Sequence, residues 1–276
     1  MKQLTFMLVA LVAMMGMVSC DNKDPEQIAQ FQQEFYVRSV DKNDNSVQFS
    51  QTVSVITANY TQSEMDITVT AKLNGSASAT IQFLKLAMAY DPTTGMYSMS
   101  KGANTTVSGG AAVSDIEGSF DMNTGIMYLH FVADGKYDVY CTTRLLYPYG
   151  SATSNYEKNG EKKTSTADDF CLAIELNADG TKANLTLYNV SLETDIAKII
   201  YVDYASIPVT VTADGYVLEA AALEATIDNV PKKDYDMTDF KATINTQGRR
   251  INGSFTIDGH DVTFSAKMLN ESYILF

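Results

Sequence analysis

The chain has 276 residues, 33 acidic and 20 basic side chains, a formal charge of −13, and an apolar share of 45%. That acidity excludes phosphate backbones as natural partners and disfavours anionic head groups. Only five prolines and no long low-complexity run argue against extended disorder, and the apolar share suffices for real cores in one large or two ordinary domains.

The first element is a leader. Lys2 supplies a positive start, Phe6–Val18 is an apolar run too short to span a bilayer, and Met17-Val18-Ser19-Cys20 closes it. A small residue before a cysteine behind an apolar run resembles the lipobox of bacterial lipoproteins, with Met17 where Leu is usual. Residues 1–19 are therefore expected to be a lipoprotein signal peptide and Cys20 the lipid attachment site. An ordinary secretory signal that ends in Cys is the alternative. Acyl chains gain about 0.8 kcal/mol per buried CH₂, so two or three anchor a protein stably without a membrane span. Cleavage would leave a net charge of −14, since only Lys2 is lost. The acidic run Asp21-Asn-Lys-Asp-Pro-Glu26 is similar to the surface-export signal of Bacteroidetes lipoproteins; a solvated polar tether is the plainer reading. The expected location is the outer membrane, at the cell surface or otherwise on the periplasmic face.

Residues 20–45 read as a lipidated tether in which Asp24–Tyr36 could hold a short helix, because Ile28, Phe31 and Phe35 recur at helical spacing. From about residue 47 the period becomes two. Met65, Ile67, Val69, Ala71 and Leu73 alternate with polar residues, as do Val262, Phe264, Ala266 and Met268, which predicts half-buried antiparallel strands. Asn74-Gly75, Asp134-Gly135, Asp179-Gly180, Asp214-Gly215 and Asp258-Gly259 supply the positive φ angles of tight hairpins. Ser191–Val202 stays ambiguous between helix and strand. The predicted class is all-β.

The chain also repeats itself. Leu73-Asn-Gly-Ser-Ala-Ser-Ala-Thr-Ile resembles Leu176-Asn-Ala-Asp-Gly-Thr-Lys-Ala-Asn-Leu, and Gly95-Met-Tyr-Ser-Met resembles Gly215-Tyr-Val-Leu-Glu. Ile116-Glu-Gly-Ser-Phe, followed by Val132-Ala-Asp-Gly-Lys-Tyr-Asp-Val-Tyr, resembles Ile251-Asn-Gly-Ser-Phe-Thr-Ile-Asp-Gly-His-Asp-Val-Thr-Phe. Two tandem, distantly related antiparallel units follow: unit A at 46–147, an exposed linker at 148–167, and unit B at 168–276. Cys141 and Cys171 lie on strand-like runs, one per unit; a disulfide and two buried free thiols are both compatible with an oxidising compartment.

Candidate chemistry is sparse. His130 and His260 occupy non-equivalent places and read as ordinary strand residues, exposed or half-exposed. No spacing of His, Cys or carboxylates fits zinc, and there is no nucleophile elbow, phosphate loop or dinucleotide fingerprint. Asp41-Lys-Asn43-Asp-Asn45 superficially suggests a calcium loop, but Ser46 and Thr52 stand where Gly and Glu are needed, so an Asx turn is expected. The adjacent acids Asp168-Asp169 would face opposite ways on a strand. Tyr147, Tyr149 and Tyr156 crowd the predicted linker, where recognition or simple packing would account for them. No catalytic residue, metal or cofactor is assigned, and the chain is not expected to be an enzyme.

Unit B, through Leu176-Asn-Ala-Asp-Gly-Thr-Lys-Ala-Asn-Leu-Thr-Leu-Tyr-Asn-Val, Ile207-Pro-Val-Thr-Val-Thr-Ala-Asp-Gly-Tyr-Val-Leu and Phe240-Lys-Ala-Thr-Ile to Val262-Thr-Phe-Ser-Ala, resembles the calycin-like β-barrel domains of Bacteroidetes lipoproteins; unit A does so more loosely. The resemblance implies lipocalin-like up-and-down barrels, closed or partly open, that take a small apolar ligand inside. It assigns no ligand-binding residue. The expected function is a non-catalytic, envelope-anchored binding module for a small apolar ligand, or alternatively a solid-cored interaction lipoprotein that docks an envelope protein.

Overall fold

The computed structural model describes residues 28–75, 77–122, 124–193, 199–245 and 247–269. The expected signal peptide at 1–19, the expected lipidation site Cys20 and the acidic run 21–26 lie outside them.

The all-β class holds. Unit A runs β1 (Ile28–Asp41), β2 (Val47–Asn59), β3 (Glu64–Asn74), β4 (Ala77–Asp91), β5 (Met96–Ser100), β6 (Thr106–Gly109), β7 (Val113–Asp121), β8 (Met127–Ala133) and β9 (Tyr137–Thr142). Each long strand pairs antiparallel with the next and β9 closes on β1, giving an eight-stranded up-and-down barrel; β6 extends the edge of β4 beyond β5. Unit B repeats the plan with β10 (Leu145–Lys158), β11 (Glu161–Leu176), β12 (Lys182–Val190), β13 (Ile199–Thr212), β14 (Gly215–Leu223), β15 (Ala225–Ile227), β16 (Val230–Pro231), β17 (Met237–Ile244), β18 (Arg250–Ile257) and β19 (His260–Lys267). Here β19 closes on β10, and β15 and β16 extend the edge of β13 beyond β14. Closure leaves neither sheet a long free edge.

Alternation sets the inward face. Met65, Ile67, Val69, Ala71 and Leu73 of β3 all point into unit A, where they meet Ile56, Phe83, Leu129 and Phe131. The rings of Phe83 and Phe131 pack at 5.1 Å. Unit B is filled in the same way by Leu145, Tyr147, Phe170, Leu185, Leu218, Phe240 and Ile251. Most of these side chains are 0% exposed, so they border no space large enough for a water molecule.

Two expectations need correction. The helix and tether at 20–45 give way to β1 from Ile28 onward. The spacing of Phe31 and Phe35 satisfies a strand as well as a helix, and Phe31, Phe35 and Val37 share the inward face. The linker at 148–167 is instead the β10–β11 hairpin, turning at Asn159-Gly160, where φ is 58° and 79°. Its inward positions are small or polar, Ala152, Ser154, Ser165 and Ala167, so the alternation was hidden in composition. The units therefore span 28–142 and 145–269. Of the two states left open for Cys141 and Cys171, the cysteines stand as free thiols. Cys141 faces the core of unit A from β9, whereas Cys171 sits partly exposed on β11 of unit B. Joining them would require opening the first barrel.

The internal repeat is real in topology but shifted in part. Gly95 and Gly215 open the equivalent strands β5 and β14, and Asp134-Gly135 and Asp258-Gly259 make the equivalent final hairpins. Leu73 and Leu176 end non-equivalent strands, β3 and β11, and Ile116 and Ile251 lie on β7 and β18, one strand out of step.

Candidate functional site

One end of barrel B is seated on the wall of barrel A. Outward-facing Tyr36 and Arg38 of β1 and Phe49 and Gln51 of β2 meet the β11–β12 and β13–β14 turns. The backbone N–H of Leu176 donates to the Tyr36 hydroxyl at 3.2 Å, and Gln51 Nε2 donates to Leu176 O at 3.0 Å. Phe49 stacks on Tyr36 and meets Tyr216 edge-on, at 6.2 and 6.3 Å. The approach is close enough that a Cβ on Gly180 would come within 2.7 Å of the Phe49 ring.

Arg38 sits at the centre and is 1% exposed. Its Nη1 donates to Thr212 O at 3.0 Å and Ala213 O at 2.8 Å, and its guanidinium lies over the Tyr140 and Tyr216 rings at 4.6 and 5.8 Å. Its Nε and Nη2 are buried without a hydrogen-bond partner. Burial pulls its pKa down, partly countered by the neighbouring tyrosines. At the flank, Tyr149 donates to Asp121 Oδ2 at 3.2 Å; burial, then the Asp121 charge, pushes the phenol up to about 12. These contacts join the barrels into one block.

Three other surfaces carry polar or aromatic groups. The upper mouth of barrel A, where the β1–β2, β3–β4 and β8–β9 turns meet, holds a pocket of about 230 Å³. It is lined by Ser39, Asp41, Asp44, Gln48, Asn74 and Lys136 among others, a polar wall unlike the mostly apolar one of a typical ligand pocket. Lys136 Nζ lies 2.7 Å from Asp41 Oδ2; its hydrogen bond is the main cause holding the Asp41 carboxyl below the usual carboxylate range. The supposed calcium loop is the expected Asx turn. Asp41 Oδ1 accepts from Asn43 N and Asp44 Oδ1 accepts from Ser46 N, both at 2.9 Å.

The free end of barrel B gathers Tyr156, Lys158, Glu193 and His260. Lys158 Nζ donates to Glu193 Oε2 at 2.6 Å and is the main cause lowering the Glu193 pKa. His260, expected on an open strand, is buried. Its Nε2 lies 3.3 Å from Glu193 Oε1 and its Nδ1 2.8 Å from Asp258 O, with the Tyr156 ring at 5.0 Å. His130 is half-buried, stacked on Tyr140, with Nε2 3.2 Å from Asp138 Oδ1. The histidines are thus held by carboxylates, a carbonyl and aromatic rings. Among the described residues no group of three His, Cys, Asp or Glu could hold a metal, and no helix is long and apolar enough to cross a membrane.

The lower mouth of barrel A is aromatic. Phe31 stacks on Phe120 at 6.1 Å, Phe120 on Tyr97 at 6.5 Å, and Tyr97 meets Tyr60 and Tyr90 at 5.8 and 4.9 Å. Sequence reading missed this cluster, since its members are scattered over five strands and turns.

No family model matches the chain, and no curated protein matches it. Among solved structures it is similar to a double mutant of Transferrin Binding Protein B from Haemophilus parasuis Hp5, at 9% identity and TM-score 0.26, over 89% of this chain and 76% of that one. It is also similar to isotype 1 Transferrin binding protein B from serogroup B Neisseria meningitidis, at 8% identity and TM-score 0.27, over 86% and 76%. A third is the Burkholderia oklahomensis agglutinin, at 11% identity and TM-score 0.18, over 87% and 96%. Likenesses this slight carry no argument about function, and the two-barrel fold rests on the strand pairings themselves.

Proposed function

We propose that this chain is an envelope-anchored, non-catalytic lipoprotein whose two solid barrels act as one rigid block and dock a protein partner at the outer membrane. The observation that carries the reading is the filled interior of both barrels, where Phe83, Phe131, Leu145, Tyr147 and Phe240 are 0% exposed. A barrel of eight strands either fills with side chains or encloses one ligand, and these side chains take the space. The pocket at the upper mouth of barrel A is polar and small for a lipid-like molecule. We therefore place protein docking above carriage of an apolar ligand. The non-catalytic reading is supported by the histidines, whose ring nitrogens face carboxylates and a carbonyl rather than a nucleophile.

The test is cross-linking in intact cells of the native host, followed by capture through a tag on the full chain. One partner recovered reproducibly, and lost when exposed residues at the contact are changed, is expected. Recovery of no specific partner, together with a bound lipid-like molecule, would overturn it.

A further inference from the structure

The described residues include six large apolar side chains that stand exposed: Ile28, Val53, Val55, Tyr90, Met122 and Val230. All but Val230 belong to barrel A, and three of them rim its lower mouth. Ile28 opens β1 at that end, Tyr90 packs on Tyr97 at the end of β4, and Met122 follows β7, with its N–H donating to Gly95 O at 3.2 Å. Val53 and Val55 continue the apolar surface up the outer side of β2, opposite Glu34 and Gln32 of β1. Behind the rim stands the stacked cluster of Phe31, Phe120, Tyr97 and Tyr60. Exposed apolar groups gathered in this way mark an interaction surface rather than scattered surface residues.

Most acids of this end are engaged within the protein, while Glu34, opposite Val53, is exposed. Asp91 accepts from Thr93 N at 2.8 Å and from Thr94 Oγ1 at 3.0 Å. Asp121 is buried and accepts from Tyr149, and Glu64 lies 3.9 Å from Lys85. The rim therefore offers rings and aliphatic groups with few free charges, the composition suited to the boundary between head groups and acyl chains.

The chain itself indicates what covers this mouth. Seven residues separate Cys20 from Ile28, so the eight steps between them, at 3.3–3.6 Å each, span at most about 28 Å. The opposite end of β1, at Asp41, lies about 43 Å further along the strand. Resting on the lipoprotein reading, we propose that the aromatic lower mouth of barrel A docks on the bilayer interface into which Cys20 is anchored. Barrel B and the polar upper mouth are then left free for a partner.

The absence of tryptophan makes the test direct. Full-length lipidated protein carrying Tyr90→Trp, and separately Val230→Trp, is reconstituted in phosphatidylcholine vesicles with or without brominated acyl chains. Intact mass verifies the acyl groups. The expected result is a blue-shifted Tyr90→Trp emission quenched at least twofold by the brominated lipid, with Val230→Trp unchanged. A lipidated Tyr90→Trp protein that emits as its unlipidated Cys20→Ala counterpart does in water, without quenching, overturns the docking alone. A shift seen only after adding outer-membrane protein assigns the mouth to a protein and also overturns it. A mature chain without acyl mass overturns the lipoprotein reading, and this proposal with it.

Discussion

Arg38 offers the sharpest test of how the two barrels are joined. Its Nη1 makes two bonds to carbonyls of the β13–β14 turn. Hydrogen bonds to a charged group contribute about 1.5–3 kcal/mol each, so together they favour the seam by about 3–6 kcal/mol. Against this stands the cost of burying a cation with no carboxylate of the described residues in an ion pair with it, which is several kcal/mol even after relaxation. The two nearly cancel. Arg38→Met keeps the stem that packs beside Tyr140 and Tyr216 while deleting the charge, so it is expected to change stability by no more than about 1 kcal/mol. Arg38→Ala removes the stem as well and opens a cavity, for which buried truncations cost about 2–5 kcal/mol. A mid-range loss of about 3 kcal/mol would lower the melting temperature by roughly 6–12 °C in a chain of this size. Urea unfolding with unchanged slope, backed by calorimetry, measures both variants. An Arg38→Met loss as large as that of Arg38→Ala would refute the cancellation and make the charged bonds the dominant force at the seam.

Three further outcomes follow from the same contacts. Gly180 has φ +72°, and its Cβ would strike Phe49. Gly180→Ala is expected to cost about 2–4 kcal/mol from left-handed strain plus overpacking, and Phe49→Leu in the same chain should recover part of it in a double-mutant cycle. The Asp41 carboxyl is held below its ordinary range by Lys136, so the folded state binds that proton less readily than the unfolded one. Its stabilisation is present above the unfolded value near 4 and is lost as pH falls through the folded value. Lys136→Met should flatten that acid limb of the stability curve, and an unchanged limb would show the pair to be inert. Burial pushes both thiols up, and Cys141 is wholly enclosed. A thiol reagent is expected to label Cys171 slowly in the native protein and Cys141 only on unfolding, whereas an intact mass two daltons low would reinstate the disulfide.

Some of this architecture was legible in the sequence because water reveals a strand. Strand β3 shows clean alternation since one face is solvated and the other lines the barrel. Strand β1 does not. From Phe35 to Asp41 both faces are buried, inward against unit A and outward against unit B, so the run Phe-Tyr-Val-Arg-Ser-Val loses its period. The β10–β11 hairpin escaped for the opposite reason, with Ser154 and Ser165 at inward positions where apolar residues are expected. The repeat was found yet partly misregistered, because every hairpin of an up-and-down barrel carries the same strand, turn and strand signature. Leu73 and Leu176 match by that signature alone.

The candidate surfaces were harder to foresee. Nothing in the chain around Arg38 announces a buried cation, since its acceptors Thr212 and Ala213 lie more than 170 positions away. Lys158, Glu193 and His260 likewise meet only when β10, β19 and the segment after β12 converge at one mouth. The aromatic rim of barrel A draws on β1, β4, β5, β7 and the turn after β2. Closure of the barrel, which no local pattern encodes, brings these residues together.

Native mass spectrometry of residues 21–276, purified gently from the native host's envelope, tests the central claim that both barrels are solid. The expected spectrum is the bare protein mass. A reproducible extra mass that disappears on denaturation would mean that a barrel encloses a ligand, and would contradict the account.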